Sequence, residues 1–274
     1  MIAFPYAKIN LGLNVVRKRP GGYHDIESVL VPIPLRDALE VVVDPSHGKN
    51  VTLYTRSGID IPGEPSTDLC MKAVEAIRQR HALPGLRVHL HKRIPLGAGL
   101  GGGSSDGTHT LLLLNDLLEL RLKHHELHDL ASGLGSDCPF FLDHLPQLAT
   151  GRGEILEPIS LDLKGLWLVL VNPGVHVPTS EVFAHTAPTG SSHMTADMLL
   201  NAPMERWRDL VPNVMEEYVF STWPIVAEVL EQIRQAGAEH AAMSGSGSSV
   251  FGLFRTKPPV LDWPAAYSSG TFRL

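Results

Sequence analysis

The stretch Pro95-Leu96-Gly97-Ala98-Gly99-Leu100-Gly101-Gly102-Gly103-Ser104-Ser105 decides how this chain is read. Five of its eleven residues are glycine. Glycine loses more backbone entropy on folding than any other residue, so a cluster needs a reason. The usual one is backbone that approaches a ligand closely, with several N–H groups directed at one anion. Ser104 and Ser105 then open a helix, whose N-terminal dipole adds about half a positive charge toward that anion. A flexible surface loop is the plainer reading, and the helix that follows at once argues against it.

Three known patterns overlap here. Gly97 to Gly102 satisfies G-x-G-x-x-G, but a dinucleotide site needs a strand directly before it and an acidic residue ending a second strand. Lys92 to Pro95 intervenes, and the acidic candidate, Glu119, falls inside a Leu-rich helix. Gly103 to Gly107 satisfies G-x-S-x-G, yet glycine loop stands where a nucleophile elbow needs a strand. No lysine follows the glycines as in a P-loop, so the positive charge must come from Mg²⁺ or a distant lysine.

Outward from the loop, residues 7–16 alternate with period two, placing Lys8 and Asn10 on a polar strand face. A turn follows over 19–24. Strands are expected over 39–43, 51–55, 86–91 and 165–171, and helices over 68–81, 106–120, 124–132, 215–220 and 223–235. Residues 190–195 read as a polar linker, 238–254 as strand, Gly/Ser turn and strand, and the tail from 258 as weakly ordered. This mixture without strict alternation argues α+β, with a boundary near 150–160. Hydrophobic residues at 43% and charged residues at 19% support a packed core rather than disorder. The net charge of −6 supplies no bulk attraction to nucleic acid or an anionic membrane, and neither is expected as a partner. Cys70 and Cys138 lie far apart and read as free thiols of a reducing, cytoplasmic compartment. The N-terminus turns polar at once, unlike a secretory segment, and the longest apolar run, 166–171, is far too short to span a membrane.

Smaller constellations leave alternatives open. Asp137, in Gly135-Ser-Asp-Cys-Pro139, is an acidic group in a tight turn before an apolar strand, or simply an Asx-turn. Lys8 and Asn10 are site residues or a solvated strand edge. Tyr23-His24 stacks on a ring or lies on the surface, and Phe183 is site or core. Residues 243–250 are a second glycine turn or a plain hairpin. His125 and His128 lack the i, i+4 spacing of a zinc motif, so His124, His125 and His128 read as a solvated helix face.

Three segments in order, Ala7-Lys8-Ile-Asn10-Leu, Pro95 to Ser105 and Met243-Ser-Gly-Ser-Gly-Ser-Ser-Val-Phe, resemble the three motifs of the GHMP small-molecule kinases over nearly the whole chain. Gly22-Tyr23-His24, Gly135 to Phe141 and Val177 to Phe183 are similar to the 4-diphosphocytidyl-2-C-methyl-D-erythritol kinase branch. The resemblance implies a two-lobed fold, with an N-terminal ATP-binding domain over 1–155 and a C-terminal α/β domain over 156–274. It implies ATP-dependent phosphorylation of the 2-hydroxyl of a CDP-sugar-alcohol in the non-mevalonate route to isoprenoid precursors. Asp137 matches the general base and Lys8 the catalytic lysine. Residues 95–105 match the ATP-phosphate loop, with Ser104 and Ser105 near Mg²⁺ and Ser105 as the metal residue. Tyr23 and Phe183 match aromatics that sandwich cytosine, His24 a residue on the pyrimidine edge, and Asn10 a neighbour of the reacting hydroxyl. Gly245 to Ser248 would support the site. The implied assembly is a monomer or weak homodimer. Gly21, where the family often has Asp, and Gly107, where it usually has Ala, depart from the pattern. Another GHMP kinase, acting on mevalonate, homoserine or a sugar, and a non-catalytic nucleotide-binding regulator are the alternatives.

Overall fold

Residues Leu86–Lys92 alternate strictly: Leu86, Val88, Leu90 and Lys92 are buried, while Arg87 and His91 are exposed. That period of two makes a strand with one face on a core. A computed structural model of the protein describes residues 1–191 and 196–274. Its strands are β1 (Ile2–Ala3), β2 (Tyr6–Lys18), β3 (His24–Arg36), β4 (Ala38–Val43), β5 (Thr52–Gly58), β6 (Leu86–Lys92), β7 (Gln147–Thr150), β8 (Ile155–Pro158), β9 (Trp167–Asn172), β10 (His240–Met243), β11 (Val250–Phe254) and β12 (Ser268–Arg273). Its α-helices are α1 (Leu69–Arg78), α2 (Gly102–Leu117), α3 (His124–Leu134), α4 (Thr179–His185), α5 (Ala196–Asn201), α6 (Trp207–Leu210), α7 (Glu216–Thr222) and α8 (Pro224–Gln235). None is long and apolar enough to cross a membrane, among the described residues.

The chain packs as two units. The first comprises residues 1–7, 35–96 and 101–144. Its sheet runs β1-β4-β6-β5, with β5 parallel to β6 and the other pairs antiparallel. A parallel pair needs a crossover, and α1 supplies it. Leu39, Val41, Leu86, Val88 and Leu90 from the sheet meet Ala73, Val74 and Ile77 of α1, Leu111 and Leu114 of α2, and Leu127 and Leu130 of α3. Asp68 caps α1, its carboxylate accepting from Cys70 N at 3.0 Å. Gly107 lets α1 and α2 approach: a Cβ there would stand 2.9 Å from Leu69 Cβ. The glycine that weakens helix propensity in the sequence is thus set by close packing.

The second unit comprises residues 8–34, 97–100 and 145–274. It holds two sheets, β2-β3-β7-β8 and the antiparallel β10-β11-β9-β12. Val169, Val171, Val226, Val229, Leu230, Ile233 and Val250 form its core with Leu13 and Val15.

Several expectations change. The tail from 258 ends in β12, which pairs with β9 along its whole length; its partner is about a hundred residues away, beyond the reach of local pattern. α2 begins at Gly102 rather than 106 and ends before Glu119. After Asp137 comes a 3₁₀ turn over Cys138–Leu142, not a strand. The boundary expected at 155/156 falls within β8, just after Ile155; β8 pairs with β7, and β7 pairs in turn with β3. The packing units therefore interleave along the chain. Of the linker read over 190–195, residues 192–195 lie outside the described residues.

His240 on β10 is 2% exposed, edge-on to Trp207 at 5.7 Å and beside Phe251 at 5.9 Å. Neither ring nitrogen has a hydrogen-bond partner among the described residues. Burial, reinforced by Arg234, pushes its pKa down to about 4. The folded state keeps His240 neutral while the unfolded chain protonates it below about pH 6.5. This stability is complete above pH 6.5 and is lost as pH falls toward 4, roughly 3 kcal/mol in all. Tm measured from pH 7 to pH 4.5 should fall more steeply for wild type than for His240→Leu; parallel curves would refute the assignment.

Candidate active site

In the first unit, α2 starts directly out of the glycine loop. Gly101, with φ +68°, is its N-cap, and Ser105 N donates to Gly101 O at 2.9 Å. Gly102, Gly103 and Ser104 therefore form the first turn, where backbone N–H groups have no intrahelical acceptor and the dipole is positive. Pro95 is half-buried and Leu96 exposed before the turn. Ser105 is fully buried, its Oγ 3.3 Å from His109 Nδ1, and Ser104 is half-buried.

Beneath this turn lies a buried ionic cluster. Lys92 Nζ donates to Asp37 Oδ2 at 2.5 Å and Asp106 Oδ2 at 2.6 Å, all three residues being at most 2% exposed. Asp37 Oδ1 also accepts from the backbone N–H groups of Arg93 and Ile94, the residues that lead into Pro95. Burial drives the Asp106 carboxyl well up, against the pull of Lys92. Burial works against the Lys92 ammonium too, but the two carboxylates outweigh it and its pKa rises. A cavity of about 180 Å³ opens beside the cluster, lined by Arg56, Ile61, Leu69, Lys92, Gly103 and Asp106 among others.

Asp137 stands at the start of the 3₁₀ turn and is half-buried. Its side chain makes no capping hydrogen bond to that turn. Burial pushes the neighbouring Cys138 thiol up to about 11, which keeps it unreactive.

In the second unit, Lys8 and Asn10 do share one face of β2, and that face is buried: 4% and 3% exposed. Lys8 Nζ donates to Asn10 Oδ1 at 2.6 Å and to Gly99 O at 3.0 Å. Asn10 Nδ2 donates to Ser28 Oγ at 2.7 Å. Ser244 Oγ donates to Gly99 O at 2.8 Å, and Asn10 N donates to Ser244 Oγ at 3.2 Å. Ser249 N donates to Ala98 O at 3.3 Å and Lys8 N to Leu100 O at 2.9 Å. Residues 97–100 are thus clamped between β2 and the turn over 244–249. Gly99, with φ +74°, has no alternative here: a Cβ would stand 1.9 Å from Ser244 O.

The aromatic residues gather in the same unit. His24 is 8% exposed and stacks on Phe183 of α4, ring centres 5.1 Å apart and planes 20° apart. Burial, then Lys18, lowers the His24 pKa, favouring a neutral ring that can donate and accept. Tyr23 is 59% exposed, with the Arg152 guanidinium 5.2 Å from its ring centre. Thr179 Oγ1 lies 2.9 Å from Ser246 Oγ, tying α4 to the glycine-serine turn.

Sequence reading missed Asp37, Lys92 and Asp106, and also Ser28, Asn213 and Ser244 as single contributors. Each works through a distant partner, such as Asn10 to Ser244 across 234 positions. The one available signal was Lys92 itself, a lysine on the buried phase of β6.

Residues 68–143 match the GHMP kinases N terminal domain, and residues 197–261 match GHMP kinases C terminal. A 4-diphosphocytidyl-2-C-methyl-D-erythritol kinase of Bacteroides fragilis is 44% identical over 269 residues, covering 97% of each chain. The chain belongs to the 4-diphosphocytidyl-2-C-methyl-D-erythritol kinase family. The relative from Cytophaga hutchinsonii is 43% identical over 259 residues, covering 94% of each chain. A crystal structure of 4-(cytidine 5'-diphospho)-2C-methyl-D-erythritol kinase superposes with a TM-score of 0.75 at 34% identity, covering 92% of this chain and 90% of that one. Homoserine kinase from Cytophaga hutchinsonii shares the fold, with a TM-score of 0.68 at 16% identity over 99% of this chain and 93% of that one. Family membership makes the protein an ATP-dependent small-molecule kinase of mixed α+β, GHMP-type fold.

Gly99→Ala tests the clamp. The added methyl meets backbone, not a movable side chain, so the loop must shift away from Lys8. The variant should lose at least about tenfold in kcat, as expected for displaced reacting groups. Wild-type turnover in steady-state kinetics would show that the clamp does not matter.

Proposed function

We propose that this protein transfers the γ-phosphoryl group of ATP to the 2-hydroxyl of 4-diphosphocytidyl-2-C-methyl-D-erythritol, a step of the non-mevalonate route to isoprenoid precursors. The observation that carries this reading is the 44% identity to a kinase of that name across 97% of both chains. The site supports it residue by residue.

The first turn of α2 receives the nucleotide phosphates on its N–H groups, as helix N-termini do. The cavity beside Gly103 is large enough for the planar base, with apolar walls from Ile61 and Leu69. When bound, Mg²⁺ would neutralise charge on the phosphates. Among the described residues no cluster of His, Cys, Asp or Glu could hold a metal alone. The hydroxyls of Ser104 and Ser105 would offer oxygen ligands to an ion that arrives on the nucleotide, since Mg²⁺ favours such ligands and keeps phosphate and water in its shell.

Asp137 accepts the substrate hydroxyl proton as the oxygen attacks phosphorus. Lys8 supplies the positive charge that the glycine loop lacks, and stabilises the phosphoryl oxygens in transit. Asn10, bonded to Lys8, stands beside the reacting hydroxyl. Tyr23 and Phe183 cover the cytosine faces, and the neutral His24 ring meets its polar edge. The turn over 245–248 supports the loop. Two buried free thiols, Cys70 and Cys138, suit the reducing cytoplasm, and we place the protein there as a monomer or weak homodimer.

A coupled ADP-release assay with the CDP-substrate and Mg-ATP tests the activity; no turnover on it, with turnover on mevalonate, homoserine or a sugar, would overturn the assignment. Asp137→Asn should cut kcat by about 10²–10⁴-fold while KM for ATP changes little. Retained turnover would remove Asp137 from the mechanism. Phe183→Ala should raise KM for the CDP-substrate about 5- to 100-fold and leave KM for ATP nearly unchanged. Equal damage to both KM values, with a lower Tm, would make Phe183 a core residue instead.

A further inference from the structure

The segment that enters α7 runs between β2 and the glycine-serine turn. Leu13 N donates to Pro212 O at 3.1 Å, and Val214 N donates to Leu13 O at 2.9 Å. Between these two bonds sits Asn213, 3% exposed. Its Nδ2 donates to Met243 O at 3.0 Å and to Gly245 O at 2.8 Å, and its Oδ1 accepts from Met215 N at 3.0 Å. Glu216 Oε1 accepts from Met243 N at 2.8 Å. One carboxamide therefore grips the turn on both sides of Ser244.

Ser244 is fully buried and is the next link. Its hydroxyl donates to Gly99 O and accepts from Asn10 N, and Lys8 Nζ donates to that same Gly99 O and to Asn10 Oδ1. Ser244 thus bonds both residues that carry these Lys8 acceptors, and Asn213 grips the residues on either side of Ser244. We propose that Asn213 is a positioning residue for Lys8, acting through Ser244 and the Gly99 carbonyl. The chemistry selects asparagine: only a primary amide offers two donors to two carbonyls and an acceptor on the same plane. An aspartate would set a carboxylate oxygen against the two carbonyl oxygens, and an alanine would release both ends of the turn.

This rests on the reading of Lys8 as the catalytic lysine, and the test separates the two. kcat and both KM values are measured for wild type, Asn213→Ala, Lys8→Ala and the double variant. Asn213→Ala should lower kcat about 10- to 100-fold, with both KM values within about threefold, because a displaced catalytic group loses rate rather than ground-state binding. In the Lys8→Ala background the same change should cost nothing further. An equal loss in both backgrounds, or no loss in either, would overturn the proposal. Wild-type kcat in Lys8→Ala would instead overturn the reading of Lys8 and the proposal with it. If Asn213→Ala does not fold, Asn213→Asp decides. Its protonated carboxyl can donate to one carbonyl and its carboxylate to none, so its kcat relative to wild type should fall as pH rises. A ratio independent of pH would overturn the proposal.

Discussion

The carbonyl oxygen of Gly99 accepts two hydrogen bonds, from Lys8 Nζ and from Ser244 Oγ, and the second unit is organised around it. The donors come from opposite ends of the chain, residue 8 on β2 and residue 244 after β10. Each bond alone contributes about 1 kcal/mol, more where a charge takes part. Their joint effect is geometric, because the acceptor is fixed from both sides and no side chain at residue 99 could share the space. Four loop residues, 97–100, thereby belong by packing to a unit different from their neighbours in sequence.

The first unit has its own constraint. Lys92 lies on the buried phase of β6 and brings a charge into the core. Taking an ion out of water costs several kcal/mol, and a buried pair is weak evidence for stability. Here Asp37 and Asp106 meet the ammonium, and Asp37 also takes the N–H groups of Arg93 and Ile94. The cluster thus ties the end of β6 to the second turn of α2. What it supplies is one fixed geometry for the start of α2 and for the wall of the adjoining cavity.

A shared fold does not select a substrate. Homoserine kinase and the mevalonate kinase of Methanococcus jannaschii align with this chain over more than nine-tenths of its length at 16% and 13% identity. The residues proposed to meet the cytosine are local features: Tyr23 at a glycine-rich tip, a buried His24, and Phe183 stacked on it from α4. Tyr23 lies on a connection, His24 opens β3, and Phe183 lies on the short helix α4 and packs against the core of the second unit.

The glycine loop, the period-two strand carrying Lys8 and Asn10, and the turn at 243–249 were legible in the sequence because each is a local signal. Glycine density, alternation and turn chemistry depend on neighbours a few residues away. The α+β class and the family followed from the order of those signals. Tertiary structure alone decided that β12 closes a sheet, that residues 102–105 are helix, and that each packing unit takes several separate stretches of the chain. It also decided which polar residues are structural. Asp37, Lys92 and Asp106 look like any three charged residues until β6 turns one inward. Asn213 carries no pattern at all, because its meaning lies in two carbonyls thirty residues away. Hydrogen bonds between distant segments leave no periodicity in a single sequence, and the site is built largely from such bonds.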